Sequence, residues 1–114
     1  MNVAQPLVQA SLLGEAIDPG PALVFVADEE MRYVAVNQAA CEALGYTREE
    51  LLGLRVVDVA PDGEDDYSAM VSAGSASGRA ELLRKDGSVL EIDYRASRTT
   101  AAQMTFYVSV AFPA

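Results

Sequence analysis

Three parts of this chain have residue types or spacings that could support chemistry. Cys41 is the single cysteine, acidic side chains crowd the segment 62–66, and serines recur over residues 72–77. A thiolate can act as a nucleophile, and grouped carboxylates can hold a divalent cation through oxygen ligands. A serine can attack a carbonyl group when a neighbouring base activates it. The surrounding sequence decides whether any of these chemistries is supported.

The acidic segment does not have the pattern of a calcium loop. It lacks the glycine at the sixth loop position and the closing glutamate of an EF-hand. It directly precedes the segment 67–71, and acidic residues are favoured at the start of a helix because free N–H groups point toward them. We therefore predict a solvated helix start, and no metal site, for Asp62, Glu64, Asp65 and Asp66.

The chain contains no histidine, and this absence restricts its chemistry more than any other feature. Ser72, Ser75 and Ser77 have neither a histidine nor a nearby lysine to activate them. A Ser-His-Asp triad, a phospho-accepting histidine within this segment and histidine-ligated haem are all excluded. An isomerase or hydrolase would need a carboxylate base inside a pocket, and the carboxylates here are expected to be solvated. We predict that the chain has no catalytic residues and is not an enzyme, and that residues 74–78 form a flexible connector.

Length and charge narrow the class of protein further. The 114 residues suit one domain, and 51% hydrophobic and 22% charged residues indicate a globular chain. The net charge of −9 disfavours nucleic acid and anionic membranes as partners, because both are bound by clustered Lys and Arg. No apolar run approaches the roughly 20 residues that span a bilayer, and no basic segment follows Met1. We therefore expect a cytoplasmic protein.

A helix is predicted near the N-terminus, over residues 4–17, and the sequence Asp-Pro-Gly-Pro at 18–21 ends it. Its apolar positions have a spacing that favours one stripe: Leu7, Val8, Leu12, Leu13 and Ile17. Such a stripe must be buried, either on the sheet of the same chain or on a second copy of the chain. We assign residues 1–20 to this flanking helix and residues 21–114 to the domain proper.

The domain proper is predicted to be α+β, with two early strands, three late strands and short helices between them. The first strand, 22–27, is apolar at every position, which is typical of a strand covered on both faces. Later, apolar side chains alternate with polar ones over 90–97, and large apolar residues alternate with smaller or more polar ones over 104–112. The sequence Asp86-Gly87 is a strong signal for a hairpin turn.

The stretch from Asp28 to Gly53 contains the most specific local signals. Asp28 begins a polar turn between two apolar runs. Asn37 is well suited to cap a helix, and Thr47 followed by Glu50 has capping-box spacing. Helices are therefore predicted over 37–44 and 48–52.

These motifs, taken in order, resemble a PAS domain, the sensory module of bacterial signalling proteins. The resemblance covers residues 20–112 and rests on four short stretches and one aspartate: Asp28, Val36-Asn37-Gln38-Ala39-Ala40, Leu44-Gly45-Tyr46, Glu49-Glu50-Leu51-Leu52-Gly53 and Arg84-Lys85-Asp86-Gly87-Ser88. It implies a five-stranded antiparallel sheet in the order 2-1-5-4-3, with short helices on one face. It also implies a signal-input and dimerisation module whose output domain (a histidine kinase, phosphatase or transcription regulator) is covalently attached and absent from this chain.

The resemblance also bears on cofactors. Light-sensing relatives of the LOV type carry their flavin-reactive cysteine in a motif resembling Gly-Arg-Asn-Cys. This chain has Gly53-Leu54-Arg55-Val56 there, with valine in place of the cysteine. Cys41 lies instead within the apolar stripe of the helix 37–44, so we interpret it as a small buried hydrophobe. A LOV-type cysteinyl flavin is therefore not expected.

The resemblance implies a cavity between the sheet and the helices, and two alternatives stay open for it. One is a small apolar or aromatic ligand, and the other is a filled core in a pure protein-interaction scaffold. The candidate lining residues are Val26, Val56, Tyr67, Met70, Leu82, Ile92, Tyr94 and Phe106. A homodimer is expected through the N-terminal helix and the sheet, with Leu7, Val8, Leu12 and Leu13 in the interface.

Overall fold

The computed structural model describes residues 5–61 and 71–114, and the side chains of residues 5–7 and 10 are not among those described. Over residues 5–61 the helices are α1 (Gln5–Ile17), α2 (Gln38–Leu44), α3 (Arg48–Leu52) and α4 (Val56–Val59). The strands are β1 (Leu23–Ala27), β2 (Tyr33–Val36), β3 (Ser75–Leu83), β4 (Val89–Ala101) and β5 (Met104–Pro113). The acidic segment 62–66, Tyr67 and Met70 lie outside the described residues.

The strands form one antiparallel sheet in the order β2-β1-β5-β4-β3, which confirms the predicted architecture. The central strand β5 pairs with β1 on one side and with β4 on the other. Ala27 stands opposite Tyr107, and Tyr107 in turn stands opposite Arg98. This register fixes which side chains of β5 face the helices, because successive residues of a strand point to opposite faces.

The short helices begin and end at the residues that local chemistry favours. The side chain of Asn37 caps α2, and Gly45 ends it with a φ of 79°, a left-handed conformation that glycine adopts without steric cost. At α3 the Thr47 hydroxyl accepts from the N–H of Glu50 at 3.1 Å, and the Glu50 carboxylate accepts from the N–H of Thr47 at 2.9 Å. The predicted capping box is therefore present.

The core lies between one face of the sheet, here called the inner face, and helices α2 to α4. Leu44, Leu51 and Val59 are its largest fully buried side chains, and they pack against strand residues such as Phe25 and Ile92. Cys41 is buried in the same cluster, and burial raises the pKa of its thiol. Its interpretation as a small buried hydrophobe is therefore confirmed.

Residues 74–78 are not the flexible connector that the sequence predicted. Strand β3 begins at Ser75, which pairs with Ser97, and Gly78 lies opposite Tyr94. Pairing with the long strand β4 gives the backbone groups of this segment hydrogen-bond partners, and this outweighs its glycine- and serine-rich composition. The serines at 75 and 77 are exposed residues of a strand.

Helix α1 forms as predicted, but its described apolar side chains are exposed. Leu12 is 60% exposed and Leu13 is 62% exposed, with Val8 and Ile17 also open to solvent. Burial of this stripe on the sheet of the same chain, one of the two alternatives, is therefore not observed. Among the residues described, no helix combines the length and the apolar character needed to cross a bilayer.

Candidate functional site

A cavity of about 90 Å³ lies against the inner face of the sheet. Strands β3 and β4 supply Leu82, Ile92 and Tyr94 to its wall, and the central strand β5 supplies Tyr107 and Ser109. These side chains share one face because residues that stand opposite each other on neighbouring strands point to the same side of the sheet: Ile92 stands opposite Ala80, and Ser109 stands opposite Phe25 on one side and Ala96 on the other. The wall is therefore built mainly from regular strands.

The remaining wall comes from segments that lie over the sheet. Met31 stands in the turn before β2, Tyr33 begins that strand, and Val56 and Ala60 lie at the two ends of α4. The turn is fixed by Asp28, whose Oδ1 accepts from the N–H of Glu30 at 2.9 Å and from the N–H of Arg32 at 3.0 Å. Helix α4 is joined to this turn by the N–H of Val56, which donates to the carbonyl of Met31 at 2.8 Å.

Four of the predicted lining residues line the cavity, namely Val56, Leu82, Ile92 and Tyr94. Val26 and Phe106 do not. Each lies between two inward-facing neighbours on its strand, so each points to the opposite, outer face. Tyr67 and Met70 lie outside the described residues. The prediction was therefore wrong for Val26 and Phe106 by one strand position each.

The inward-facing residues of β1 and β5 were missed, and the hairpin between β4 and β5 explains the error on β5. Its hairpin with β4 closes through two residues, Ala102 and Gln103, so Met104 stands opposite Ala101. Across a two-residue turn, even-numbered residues of β4 stand opposite odd-numbered residues of β5, as Ala96 stands opposite Ser109. Counting from the clear alternation of β4 therefore places Tyr107 and Ser109, and not Phe106, on the inner face.

The electrostatic character of the cavity is simple. Among the described residues that line it, none carries a charge. Its polar side-chain groups are hydroxyls, from Tyr33, Tyr94, Tyr107 and Ser109. The described residues contain no cluster of three or more His, Cys, Asp or Glu that could hold a metal ion. The described part of the wall can therefore accommodate apolar and hydrogen-bonding groups, and it offers no opposite charge to an ion.

Shifted acid–base groups lie elsewhere in the molecule. The hydrogen bond from Lys85 Nζ at 2.6 Å lowers the pKa of the Glu50 carboxyl, and the Thr47 backbone N–H lowers it further. Hydrogen bonds from Ser88 lower the pKa of Asp86 in the β3–β4 turn. Both shifts stabilise turns and helix starts.

A second polar feature joins α1 to the domain. Asn37 is buried, and its Oδ1 accepts from the N–H of Val24 at 2.9 Å as well as from the N–H of Ala40 at 3.1 Å. Its Nδ2 donates to the carbonyl of Ile17 at 2.9 Å and to that of Ala22 at 2.8 Å. One side chain thus connects the end of α1, the start of β1 and the start of α2.

Asp18 strengthens this junction from the surface side. Its Oδ1 accepts from Arg48 Nη2 at 2.7 Å and from the N–H of Gln38 at 3.0 Å. Arg48 also donates from Nε to the carbonyl of Val36 at 3.1 Å. The last residues of α1 are therefore held in place even though its apolar stripe is exposed.

The outer face of the sheet is also apolar along its centre. Phe112 is 49% exposed, and Met104 and Val110 lie open on the same side of β5. Of the predicted interface residues, Val8, Leu12 and Leu13 are exposed, whereas the side chain of Leu7 is not among those described. The stripe of α1 and the outer face of β5 are thus exposed apolar surfaces of the part of the chain that the structure describes.

Comparison with known proteins assigns the family. A family profile described as "PAS domain" matches residues 21–112, and the chain belongs to the PAS domain family. No curated protein matches the sequence.

Solved structures agree in fold. A PAS domain from a two-component sensor histidine kinase superposes with a TM-score of 0.85 at 15% identity, covering 96% of this chain and 100% of that one. The PAS domain of an HTR-like protein from Haloarcula marismortui gives 0.83 at 19% identity, covering 96% and 95%. A domain of a sensory box sensor histidine kinase/response regulator from Geobacter sulfurreducens gives 0.76 at 23% identity, covering 96% and 98%. At these identities the likeness describes the fold.

Proposed function

We propose that this chain is the signal-input module of a signalling protein and that it senses a small molecule held in the cavity under its sheet. The observation that carries the proposal is the apolar cavity of about 90 Å³, formed by strands and α4 within a PAS domain. Sensor histidine kinases among the structural neighbours support a signalling role. The attached output domain would be a histidine kinase, a phosphatase or a transcription regulator.

The module acts without catalysis in this proposal. A ligand shifts an equilibrium between two packings of the domain by the difference in its affinity for them. The junction at Asn37 supports such coupling, because the same side chain bonds to Val24 of β1, next to the cavity residue Phe25, and to the last carbonyl of α1. A shift of β1 would therefore displace the C-terminal end of α1.

Native mass spectrometry of the purified chain, with extraction of bound small molecules, tests ligand binding. We expect a bound neutral species, or binding of a neutral compound from a metabolite panel. The matched variants are Ala80→Leu, which fills the cavity from β3, and Ala101→Leu, which adds the same side chain at an exposed position of β4. Ala80→Leu should abolish binding and Ala101→Leu should not. A bare protein that gains no compound from the panel would leave the alternative, an interaction scaffold without a ligand.

We further propose that the chain forms a homodimer through the stripe of α1 and the outer face of β5. Leu12 and Leu13, on α1, and Phe112, on β5, are exposed apolar residues of one chain. Two copies related by a two-fold axis can cover these surfaces mutually, as is usual for homodimers. Exposed apolar patches on a small domain typically mark such interfaces.

Sedimentation velocity tests the dimer. Replacing Leu12 and Leu13 by serine should convert a dimer into a folded monomer. Leu52→Ser, at an exposed position of α3 that belongs to neither surface, is the control and should leave the dimer intact. An unchanged sedimentation coefficient for the double variant would contradict the interface, and a monomeric wild type would contradict the dimer.

A further inference from the structure

The two edges of the sheet differ in how they are covered. Strand β2 forms one edge and is four residues long, and the N–H of Tyr33 on this edge donates to the carbonyl of Leu54 at 3.2 Å. Strand β3 forms the other edge and is nine residues long, and among the described residues it pairs only with β4. An uncovered edge presents a row of N–H and C=O groups to which another strand can bond. The edge at β3 is therefore the candidate for an added strand.

The direction of the backbone groups of β3 follows from hydrogen bonds at its two ends. The N–H of Arg98 donates to the carbonyl of Gly74 at 2.9 Å, and the N–H of Arg84 donates to the carbonyl of Ser88 at 2.8 Å. In antiparallel pairing every second residue bonds to the neighbouring strand, and the residues between them point away from it. Even-numbered residues of β3 therefore bond to β4. The backbone groups that point to the free side are those of Ser75, Ser77, Arg79, Glu81 and Leu83. Within residues 5–61 and 71–114, no hydrogen bond to these groups is formed.

The charges beside this edge leave one carboxylate without an opposite charge. Glu81 stands opposite Glu91 on the outer face, and like charges in directly opposite positions repel each other. The guanidinium of Arg79 pairs instead with Glu91 at 3.4 Å and with Asp93 at 3.0 Å. Glu81 is exposed and forms no ion pair with any residue that the structure describes. A cation opposite Glu81, on the free side of β3, would therefore be favoured.

The inner side of the same edge carries small residues. Ala76, Gly78 and Ala80 alternate with the outward-facing positions of β3, and Gly78 is exposed. A glycine within a strand often marks a place where another backbone comes close. An added strand would place every second side chain beside these small residues and the others beside the polar outer positions. The edge therefore suits a segment in which apolar and polar residues alternate.

We propose that the free edge of β3 binds an extended segment of another protein as a sixth strand of the sheet. The segment alternates apolar with polar residues and places a cationic side chain opposite Glu81. The net charge of −9 attracts such a cationic partner before contact is made. This interaction goes beyond the sensing function and does not depend on it, and it uses none of the residues assigned to the homodimer.

Titration of the full chain with the acetylated and amidated peptide Lys-Val-Thr-Val-Lys-Val-Thr-Val-Lys, followed by NMR of the backbone amides, tests the proposal. In an antiparallel register this peptide can place lysine opposite Glu81 and threonine opposite Arg79. Without peptide, the amide hydrogens of Ser77, Arg79 and Glu81 should exchange with solvent faster than those of Ala80 and Leu82, which bond to β4. Bound peptide should slow the exchange of the first three.

A second peptide separates strand addition from attraction by charge. N-methyl groups on its lysine and threonine residues remove the N–H groups that point toward β3 in this register and leave the charge unchanged. This peptide should bind at least roughly tenfold more weakly than the unmodified one. Because it is tested on the wild-type chain, the result does not depend on the folding of any variant.

Variants of the chain locate the site. Ser77→Pro removes one free-edge N–H without breaking a bond to β4 and should also weaken binding roughly tenfold, whereas Ser77→Val keeps this N–H and should bind as the wild type does. Glu81→Gln should weaken binding roughly threefold. Glu15→Gln makes the same change in charge on α1 and should have no effect.

Several results would overturn the proposal. The unmodified peptide could fail to bind at millimolar concentration, or the N-methylated peptide could bind equally well, which would mean attraction by charge alone. Equal binding of a peptide with glutamate in place of lysine, or equal weakening by Glu81→Gln and Glu15→Gln, would exclude a cation opposite Glu81. A change in the sedimentation coefficient of the chain alone on Ser77→Pro would mean that a second copy occupies the edge. None of these results bears on ligand binding in the cavity.

Discussion

Strand β5 reverses the pattern of a simple amphipathic strand, in which the larger apolar side chains face the core. The inner face carries Tyr107, Ser109 and Ala111, whereas the outer face carries Met104, Val110 and Phe112. The larger aliphatic and aromatic groups without polar atoms therefore lie on the exposed side. Small and hydroxyl-bearing residues on the inner side leave room for a cavity and place hydroxyl groups in its wall. Apolar residues on the outer side provide a surface for another molecule.

The largest expected difference between the inner and outer faces of the sheet is in how much a substitution on each face lowers the free energy of unfolding. Ile92→Ala removes a side chain that is 3% exposed on the inner face, and we expect the free energy of unfolding to fall by about 3 kcal/mol. Val110→Ala shortens a side chain that is 37% exposed on the outer face and should cost less than about 1 kcal/mol. Urea unfolding of the two variants gives the values. Equal losses would mean that the outer face is as tightly packed as the inner one.

Stability should be nearly as sensitive to substitution at Asn37, which joins α1, β1 and α2, as it is to substitution at Ile92. Asn37→Ala removes the cap of α2 and the bonds to Val24, Ile17 and Ala22, so we expect a loss of about 2–3 kcal/mol. Gln38→Ala changes the exposed neighbouring residue and should be close to neutral. Thermal unfolding followed by circular dichroism compares the two. If Asn37→Ala were neutral, the junction would not hold α1 to the domain.

The turn that sets the register of β5 offers a smaller, stabilising change. Ala102 and Gln103 both have positive φ, at 52° and 64°, which residues with a Cβ adopt only with strain. The double substitution Ala102→Asn and Gln103→Gly places the preferred residues of a two-residue hairpin turn there, and we expect a gain of about 1 kcal/mol. An increased urea midpoint with an unchanged m-value would support this. A loss of stability would indicate that the turn has another conformation.

The smallest effect is expected at the exposed ion pair of Glu50 and Lys85, which contrasts with the uncharged described wall of the cavity. The pKa of Glu50 is lower in the folded chain than its ordinary value because of Lys85 and Thr47. Its contribution to stability is therefore present above the unfolded pKa of about 4.3 and is lost as the pH falls through the folded value. Glu50→Gln should be slightly less stable than the wild type at pH 7, and the difference should shrink in acid.

The melting temperature of both proteins across this pH range provides the measurement. Glu49→Gln, on the same turn of α3, is the control and should not reproduce the pH-dependent difference. A gap between the wild type and Glu50→Gln that stays constant down to acid pH would contradict the role of the ion pair with Lys85.

The sequence alone determined the features that depend on a few neighbouring residues. The Asn37 cap, the Thr47–Glu50 capping box and the Asp86-Gly87 turn are formed by side chains and backbone groups within three positions of each other. The alternation of β4 also identified its inner face correctly, since polar and apolar residues there differ clearly. The order of these motifs was sufficient to predict the PAS fold and its strand order.

Only the tertiary structure decided which residues of β1 and β5 face the cavity. Strand β1 is apolar on both faces, so hydrophobicity could not distinguish Val26 from Phe25. On β5 the alternation pointed to Phe106, although Tyr107 is the residue that faces the cavity. Pairing with β4 across a two-residue turn made that choice. Long-range pairing likewise turned residues 75–78 from an expected connector into a strand. The physical reason is the same in each case: the free energy that fixes these residues comes from backbone partners distant in the sequence, and local composition contains no information about them.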